Sequence, residues 1–545
     1  KSQGRGLNVT QNRQIFVHRW RDRVVADDLG YYREDGFEVT GWTSDGKSRA
    51  ESLRAYRPEL RRETTVSNRN SHERVSLKDA NACLAAGQFA TAARMYLQLR
   101  SGFGEEFPPL DVNFHALRKK WLQSRSGQPP RVAVCSWELA HNPAGRAMTL
   151  AEAWRPHAEV AIVGCLLPSF GRSLWAPLKS LSIPCYSFVV EEEARFLAQA
   201  FELVAQYPAD LVHLSKPRMH NVIFGWLYQL LWGARVIMDV DDEELAFADA
   251  TKPLNPHDYL KSHGGFPPLT DLRGSIWTRL AVGMAGIFDD VTVSNSALQA
   301  RYGGRVIPHV RPKERFQPSQ RLTLAARERL GVPIEKKVVL FFGTPREHKG
   351  VLETAQALGQ LGRSDICYVI AGGRPSAELK SKLSAIEGIE CLFLGYQPYE
   401  KAADVVAVGD LCVLLQETSS LAAQFQVPAK LTDALAMGLT VFAQVTPSLE
   451  DLAQAGAFVP VTRDNLQEKL AEYFSAPEAM MMQGLQGRRV FEEQLSVEAV
   501  TNTMQSLLIM DKPLKARQLQ WEGQLAQVVG WSFLPLGVEA FFPCC

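Results

Sequence analysis

The feature that most constrains the fold is a repeated alternation between short apolar runs and segments with helical spacing. The runs are continuously apolar, which predicts strands that are buried on both faces of a parallel sheet. They form two series, separated by a proline-rich crossing at residues 306–312. The runs lie at residues 131–136, 159–164, 210–214, 234–239 and 290–294, and then at 337–342, 366–371, 389–394, 411–415, 440–443 and 457–460. We therefore expect an α/β protein with two tandem doubly wound, Rossmann-like domains that face a common cleft.

The rest of the chain lacks this alternation. Residues 1–75 are polar, with weakly alternating runs at 14–18 and 37–42 that are compatible with edge strands, and they indicate no function. Residues 76–125 are helical and resemble one tetratricopeptide helix pair. Because such repeats need neighbours, a helical region packed on the next domain is the favoured interpretation. We place the two domains at 131–312 and 313–490, followed at 491–545 by a C-terminal helix and an apolar tail expected to pack back on the first domain.

Composition narrows the classes of function. A formal net charge of +1 offers no basic surface for nucleic acid. The nine cysteines are scattered without a CxxC pair, which favours a reducing compartment over a disulfide framework. The longest charge-free apolar stretch, residues 221–234, is shorter than the ~20 residues that span a bilayer. We expect a cytoplasmic protein, and the aromatic tail leaves peripheral membrane contact open.

The loop after the first strand of the second series is the clearest candidate for chemistry. Residues 343–350 read Gly-Thr-Pro-Arg-Glu-His-Lys-Gly, with a helical segment following. Two cations between glycines at a helix start predict an anion cradle, in which Arg346 binds phosphate bidentately and Lys349 acts as a point charge. The loop is not a Walker A motif, because the Gly-Lys-Ser/Thr ending is missing.

A short helix between Pro428 and Gly438 is the second candidate. Pro428 suits a first helical position and Gly438 suits the stop. Lys430 and Asp433 are three residues apart, so they share one face near the helix start. An acid and a base there can hold a polyhydroxylated anion, because the carboxylate accepts hydroxyls while the ammonium binds phosphate. The alternative is a capped amphipathic helix with one surface ion pair.

Two loops of the first series add candidates. Gly145 precedes a helical segment at 150–154, where a glycine lets a ligand approach free N–H groups, although a plain turn explains it equally well. Residues 238–244 read Met-Asp-Val-Asp-Asp-Glu-Glu. Such carboxylates can hold Mg²⁺ or sugar hydroxyls, or form a solvated loop. If the strand continues, Asp239 and Asp241 point the same way and form a pair.

Taken in order, these motifs resemble a known family. Residues 131–510 are similar to a GT-B glycosyltransferase of glycosyltransferase family 4, the glycosyl transferases group 1. The resemblance rests on the loop at 343–350, the segments 368–373 and 391–396, the helix at 428–438, and the segments 293–296 and 306–309. It implies an acceptor domain followed by a domain that binds a nucleotide-diphospho-sugar donor, and anomeric configuration retained in transfer.

The resemblance also implies roles for the second-domain residues. Arg346 and Lys349, in the loop that begins at Gly343, would stabilise the diphosphate leaving group. Asp433 would accept the ribose hydroxyls where the family carries Glu, with Lys430 next to the donor.

In the first domain, Gly145 would lie against the diphosphate or the donor sugar. Asp241 falls where relatives carry a His or Asp that touches that sugar. Because the family usually needs no metal, we expect neither a metal nor a cofactor beyond the nucleotide sugar.

The chain departs from the family pattern at three places. The first acid of the paired-glutamate motif would fall within 421–426, where no acid occurs, and Asp433 is shorter than Glu by one methylene. His309 and Val310 stand where Asn-Gly is common. These departures bear on donor identity and on activity itself.

We expect a retaining hexosyltransferase that transfers a sugar to a glycan, a lipid-linked glycan or a protein, as in polysaccharide biosynthesis. The main alternative is a catalytically degenerate GT-B module that binds a glycan or a protein partner. Another GT-B enzyme, such as a sugar phosphorylase or epimerase, is a third. A cluster of Lys216, Arg218 and His220 would suit an anionic or lipid-phosphate acceptor, and a solvated loop fits it equally well.

Overall fold

The computed structural model describes residues 37–42, 50–55, 75–103, 108–415 and 420–509. Two short strands, β1 (Phe37–Trp42) and β2 (Ala50–Ala55), form an antiparallel ribbon. The predicted run at 14–18 and the apolar tail after residue 509 lie outside the described residues.

Three helices precede the first large sheet: α1 (Leu77–Ala85), α2 (Phe89–Phe103) and α3 (Pro108–Ser124). Ser76 caps α1, since its side chain accepts a hydrogen bond from Asp79 N at 3.1 Å. Trp121 of α3 packs edge to face on Trp232 of the first domain, with 5.5 Å between ring centroids. The helical region thus shares the core of the first domain.

The first domain is built on a parallel sheet of seven strands in the order β5-β4-β3-β6-β7-β8-β9. Its strands are β3 (Arg131–Ser136), β4 (Glu159–Leu166), β5 (Cys185–Val189), β6 (Leu211–Ser215), β7 (Arg235–Val240), β8 (Asp290–Val293) and β9 (Arg305–Val306). The sequence pattern does not predict β5, because this half-buried edge strand mixes apolar and polar residues. Adjacent residues of β3 enter different cores, which explains why the predicted strands are continuously apolar.

Helices cover both faces of this sheet. They are α4 (Ala144–Trp154), α5 (Ala176–Lys179), α6 (Phe196–Gln206), α7 (Met219–Trp232), α8 (Pro256–His263), α9 (Ser275–Gly283) and α10 (Ser296–Tyr302), with 3₁₀ turns at Glu193–Arg195, Glu244–Ala248 and Ala285–Ile287. The charge-free stretch at 221–234 is largely α7, whose residues are all buried in the domain core. Across the described residues, none of the helices has the length and apolarity needed to cross a bilayer.

The second domain has a six-stranded parallel sheet in the order β12-β11-β10-β13-β14-β15. Its strands are β10 (Lys337–Gly343), β11 (Ile366–Gly372), β12 (Glu390–Gly395), β13 (Leu411–Leu414), β14 (Thr440–Ala443) and β15 (Val459–Pro460). Successive residues of β10 again enter separate cores on the two faces. The two sheets confirm the predicted α/β class and the tandem arrangement.

The helices of the second domain are α11 (Gln320–Leu330), α12 (Val351–Leu361), α13 (Ala377–Ser384), α14 (Ala402–Val406), α15 (Leu421–Phe425), α16 (Ala429–Ala436), α17 (Glu450–Gln454), α18 (Leu466–Ser475) and α19 (Pro477–Val490). Short 3₁₀ turns occur at Lys313–Arg315, Glu347–Lys349, Tyr399–Lys401 and Pro447–Leu449. A π-helical turn, Phe491–Leu495, extends α19.

The chain then returns to the first domain through α20 (Thr501–Leu508). Met504 and Leu507 of α20 pack in the same core as Trp154 of α4. The outward and return crossings meet at Arg311, whose N–H donates to Leu495 O at 3.1 Å and whose carbonyl accepts from Val497 N at 3.0 Å. Arg311 therefore lies where both connections between the domains run side by side.

Candidate functional site

Three cations surround Gly343, the last residue of β10. Arg346 and Lys349 follow it in the loop, and Lys430 reaches the same place from α16. The ammonium of Lys430 lies 4.0 Å from the centroid of the Phe341 ring, a cation–π contact. A β-carbon at position 343 would come within 3.0 Å of Lys430 Cε, and Gly343 has φ 107°. Only glycine therefore allows both this backbone conformation and the approach of Lys430.

The charge of this cluster is not balanced by nearby acids. Within the described part of the chain, no carboxylate forms an ion pair with Arg346, Lys349 or Lys430, and Lys349 Nζ donates to Thr344 O at 3.1 Å. Burial, and then the charge of Lys349, lower the pKa of Lys430 to about 7. Burial and Arg346 lower the pKa of Lys349. Cations that depress each other's pKa at the carboxyl end of a parallel strand form a site for an anion.

Asp433 forms a different contact from the surface ion pair with Lys430 that the sequence offers as an alternative. It does not pair with Lys430 as the surface ion pair would require; its Oδ1 accepts from Arg311 Nε at 2.7 Å. The helix begins at Ala429, so Pro428 is the capping residue rather than the first helical residue, while Gly438 with φ 69° ends the turn as predicted. Helix α16 thus carries Lys430 beside Gly343 and Asp433 beside the crossing between the domains.

The predicted pair of Asp239 and Asp241 is wrong. Asp239 binds Arg146, whose Nε and Nη2 each lie 2.8 Å from a carboxylate oxygen, and both side chains are fully buried. Arg146 also donates to Ile307 O at 2.7 Å and to Pro308 O at 3.0 Å. Strand β7 ends at Val240, so the chain turns before Asp241 and the two acids take different partners.

Arg146 is a residue that the sequence reasoning missed. It follows Gly145, which lies within the first turn of α4 rather than ahead of a helix at residue 150. Its guanidinium ties the start of α4 to the end of β7 and to the crossing at 307–308. A single arginine in a loop carries no sequence signal for such a contact. Gly145 is thereby held at the carboxyl edge of the first sheet.

The remaining acids of the acidic run surround one lysine. Lys216 Nζ lies 2.8 Å from Asp241, 2.5 Å from Asp242 and 3.4 Å from Glu244. Burial raises the pKa of Asp241 to about 7, although Lys216 opposes this shift. These carboxylates are spaced closely enough to hold a metal ion, and the ammonium supplies positive charge among them. The run is therefore neither a solvated loop nor a paired Asp239–Asp241 site.

The same contacts overturn the predicted anionic-acceptor cluster. Lys216 is neutralised by the three acids, and Arg218 pairs with Glu244 and donates to Thr278 Oγ1 at 3.1 Å. His220 is fully buried, and burial lowers its pKa to about 3. No free cation of this group remains to bind an anionic acceptor, and the loop is not solvated.

The segment that lacks the family acid docks on the first domain. Phe425, at the end of α15, packs beside Val240, Val293 and Leu298 of the first domain. Its carbonyl accepts from Asn295 Nδ2 at 2.9 Å. The next residue, Gln426, donates from Nε2 to Asp242 Oδ1 at 3.0 Å. The two domains therefore meet between the acid–lysine cluster on one side and the cation cluster on the other.

Comparison with known proteins fits this geometry. Residues 336–475 match the family model for glycosyl transferases group 1. HepE of Anabaena, solved with UDP-glucose, superposes with a TM-score of 0.52 at 16% identity, over 70% of this chain and 99% of that one. A glycosyltransferase from Rickettsia africae gives a TM-score of 0.50 at 13% identity, over 70% of this chain and 98% of that one. No curated protein matches the chain in sequence.

The resemblance to the GT-B glycosyltransferases is thus confirmed. The two parallel sheets have the GT-B fold, and residues 336–475 of the second domain resemble the glycosyl transferases group 1. The cation cluster around Gly343 lies inside the matched segment.

Proposed function

We propose that the protein is a glycosyltransferase that takes a sugar from a nucleotide-diphospho-sugar donor. The observation that carries the proposal is the cluster of Arg346, Lys349 and Lys430 around Gly343, which has no acidic partner among the described residues. A diphosphate supplies the missing negative charge. Because the leaving nucleoside diphosphate gains charge as the sugar departs, the same cations also lower the barrier to transfer.

The neighbouring residues fit the rest of a donor. Asp433, one turn after Lys430 on α16, would accept ribose hydroxyls. Asp241 and Gly145 would lie on the first-domain side, where the donor sugar and the acceptor would meet. Transfer is proposed to retain configuration, as the family resemblance implies. It is proposed to need no metal, because three side-chain cations are available to the diphosphate. HepE, with a similar fold, was solved with UDP-glucose, which makes a hexose donor the first choice for testing.

The chemistry of the reaction defines the acceptor by its nucleophilic group. A nucleophilic hydroxyl or amide must approach the donor from the first domain, which suits a glycan, a lipid-linked glycan or a protein. The neutralised Lys216 and Arg218 do not favour an anionic acceptor.

The experiment is a nucleotide-sugar screen by thermal shift, followed by donor hydrolysis and transfer assays. Lys349→Ala is expected to abolish both the thermal shift and turnover. Lys469→Ala is a matched control, because this lysine lies in the same domain but pairs on the surface with Glu472, outside the 343–350 loop. If Lys349→Ala responds like the wild type, the assigned donor site is wrong.

A specific observation supports the alternative of a binding module without turnover. The segment at 421–426 carries no acid and inserts Phe425 into the first domain. If nucleotides bind but neither hydrolysis nor transfer to any acceptor is detected, this segment explains the loss. If no nucleotide binds at millimolar concentration, the donor site itself is refuted.

A further inference from the structure

The contact between Arg311 and Asp433 does more than connect the crossing segment to the second domain, because it also fixes the orientation of the Asp433 carboxylate. Arg311 belongs to the crossing segment, and its side chain is almost fully buried. Its Nε donates to Asp433 Oδ1 at 2.7 Å, while Nη1 donates to Val310 O at 3.0 Å and to Thr149 Oγ1 of α4 at 3.4 Å. The guanidinium is therefore held by both domains and by its own segment, and its orientation toward Asp433 is fixed.

This contact opposes the effect of burial on the Asp433 carboxyl. Burial raises the pKa of the Asp433 carboxyl, and Arg311 is the largest influence that opposes the rise. A carboxylate accepts hydrogen bonds at both oxygens, whereas a protonated carboxyl loses part of that capacity. Without Arg311 the buried acid would be left unpaired and would tend to take up a proton. Arg311 thus occupies one oxygen of Asp433 and favours its ionised form.

The position of Arg311 also links Asp433 to the crossing between the domains. Its main chain hydrogen-bonds the return segment through Leu495 and Val497. A second contact beside it joins the same elements, because Thr432 Oγ1 donates to His309 O at 2.9 Å. The helix α16 that presents Asp433 is therefore attached to the crossing at two consecutive residues, Thr432 and Asp433.

From these contacts we propose that Arg311 is the positioning residue for ribose recognition: it orients the Asp433 carboxylate, so that the acid selects nucleotides bearing ribose hydroxyls. The inference rests on the proposed function, because it presumes that a nucleotide occupies the second-domain site. Arg311 touches no reacting atom. It acts through Asp433, whose side chain is one methylene shorter than the Glu expected from the family resemblance, so a fixed partner is needed to place it.

The test compares ligands that differ only in the ribose. Binding of uridine, guanosine and adenosine diphosphates, of their 2′,3′-dideoxy counterparts and of inorganic pyrophosphate is measured calorimetrically on the full chain. The variants are Arg311→Gln, Arg311→Lys and Asp433→Asn. For the diphosphate that the wild type binds, Arg311→Gln is expected to weaken affinity about tenfold or more, as for the loss of a hydrogen bond to a charged group. Its affinity for pyrophosphate and for the dideoxy nucleotide should stay within about twofold of the wild type.

Further variants distinguish a positioning role of Arg311 from a general loss of structure in the second domain. Arg311→Lys keeps a cation and should recover part of the ribose discrimination, and the Arg311→Gln/Asp433→Asn double variant should lose no more than Asp433→Asn alone. Arg327→Gln is the matched control, because it breaks another buried Arg–Asp pair of the second domain, with Asp410 at 2.8 Å. It should leave the ratio of ribose to dideoxyribose affinity unchanged.

The failures are distinguishable. If the wild type binds none of the diphosphates, the proposed function fails. If the wild type binds and discriminates the ribose while Arg311→Gln discriminates it equally well, the positioning role is overturned and the proposed function stands. If Arg311→Gln lowers affinity for pyrophosphate as much as for the nucleotide, Arg311 acts on the whole domain and the proposal is likewise overturned.

Discussion

Binding of a nucleotide sugar should draw a proton onto Lys430. This lysine is packed against Phe341 and close to Lys349, and burial lowers its pKa to about 7. The nearby Cys412 thiol stays neutral, because burial raises its pKa to about 12. A bound diphosphate places negative charge beside the ammonium and restores its pKa toward the ordinary value of about 10.4. Above pH 7 the free protein has lost this proton, so binding must recover it.

The size of the effect follows from the pKa. At pH 8 about one tenth of the free protein carries the charge, and at pH 9 about one hundredth. Affinity should therefore fall by about fiftyfold, or about 2.3 kcal/mol, between pH 7 and pH 9. The sign is that of a group whose pKa rises on binding: affinity is highest below the pKa of the free protein and is lost as pH increases.

Calorimetry in buffers of different ionisation enthalpy measures the number of protons that the protein takes up when the ligand binds. A nucleotide sugar is the suitable probe, because its bridging diphosphate has no group that titrates near neutral pH. The wild type should take up about half a proton at pH 7 and about one at pH 8. Lys430→Arg remains charged at every pH and should take up none from this position. Equal uptake by wild type and Lys430→Arg, or no uptake by the wild type at pH 8, would refute the reasoning.

Three further predictions test other contacts. Gly343→Ala should weaken nucleotide-sugar binding at least tenfold because its β-carbon meets Lys430 Cε at 3.0 Å, whereas Gly331→Ala, also at positive φ but with open space, should keep wild-type affinity in the same titration. Asp239→Asn should lower the free energy of unfolding by about 3–5 kcal/mol in denaturant titration because it leaves Arg146 buried and unpaired, while Asp404→Asn at an exposed pair should cost less than about 1 kcal/mol. Lys216→Met should raise the carboxyl pKa values of its partners, so that thermal stability falls as pH rises and is partly restored by millimolar Ca²⁺ or Mn²⁺; a variant with the same pH and calcium response as the wild type contradicts this.

Local pattern was sufficient for most of the strands because both sheets are parallel and buried on both faces. Runs such as 131–136 and 440–443 coincide with β3 and β14. The edge strand β5 was not predicted, since half-buried edges do not demand a continuous apolar run. Chain order also predicted the candidate loop at Gly343 and the helix that carries Lys430, because carboxyl ends of adjacent parallel strands meet at one edge.

The roles of individual charges depended on long-range contacts that no local pattern reports. Arg146 and Asp239 are 93 residues apart, and Arg311 and Asp433 are 122 apart, yet each pair forms a buried or nearly buried contact. Sequence spacing predicts instead that Asp239 and Asp241 form one carboxylate pair at the end of a strand. It also predicts that Lys430 and Asp433 share one helix face, either around a ligand or as a surface ion pair. Burial makes an unpaired charge costly, so each acid takes whichever cation the folded chain brings to it, whatever the separation along the sequence.

The sequence by itself determined the two tandem α/β domains, and it predicts the residues of the candidate donor site. These depend on apolar periodicity and on glycine, proline and cation spacing, which are local properties. Only the tertiary structure decided which charges stay free for a ligand. Among the residues that the structure describes, no acid pairs with Lys430, Lys349 or Arg346, whereas Lys216 and Arg146 form ion pairs with buried carboxylates. The physical reason is that ion pairs form between charges that are close together in the folded protein. No single stretch of sequence specifies which residues of two domains come close together.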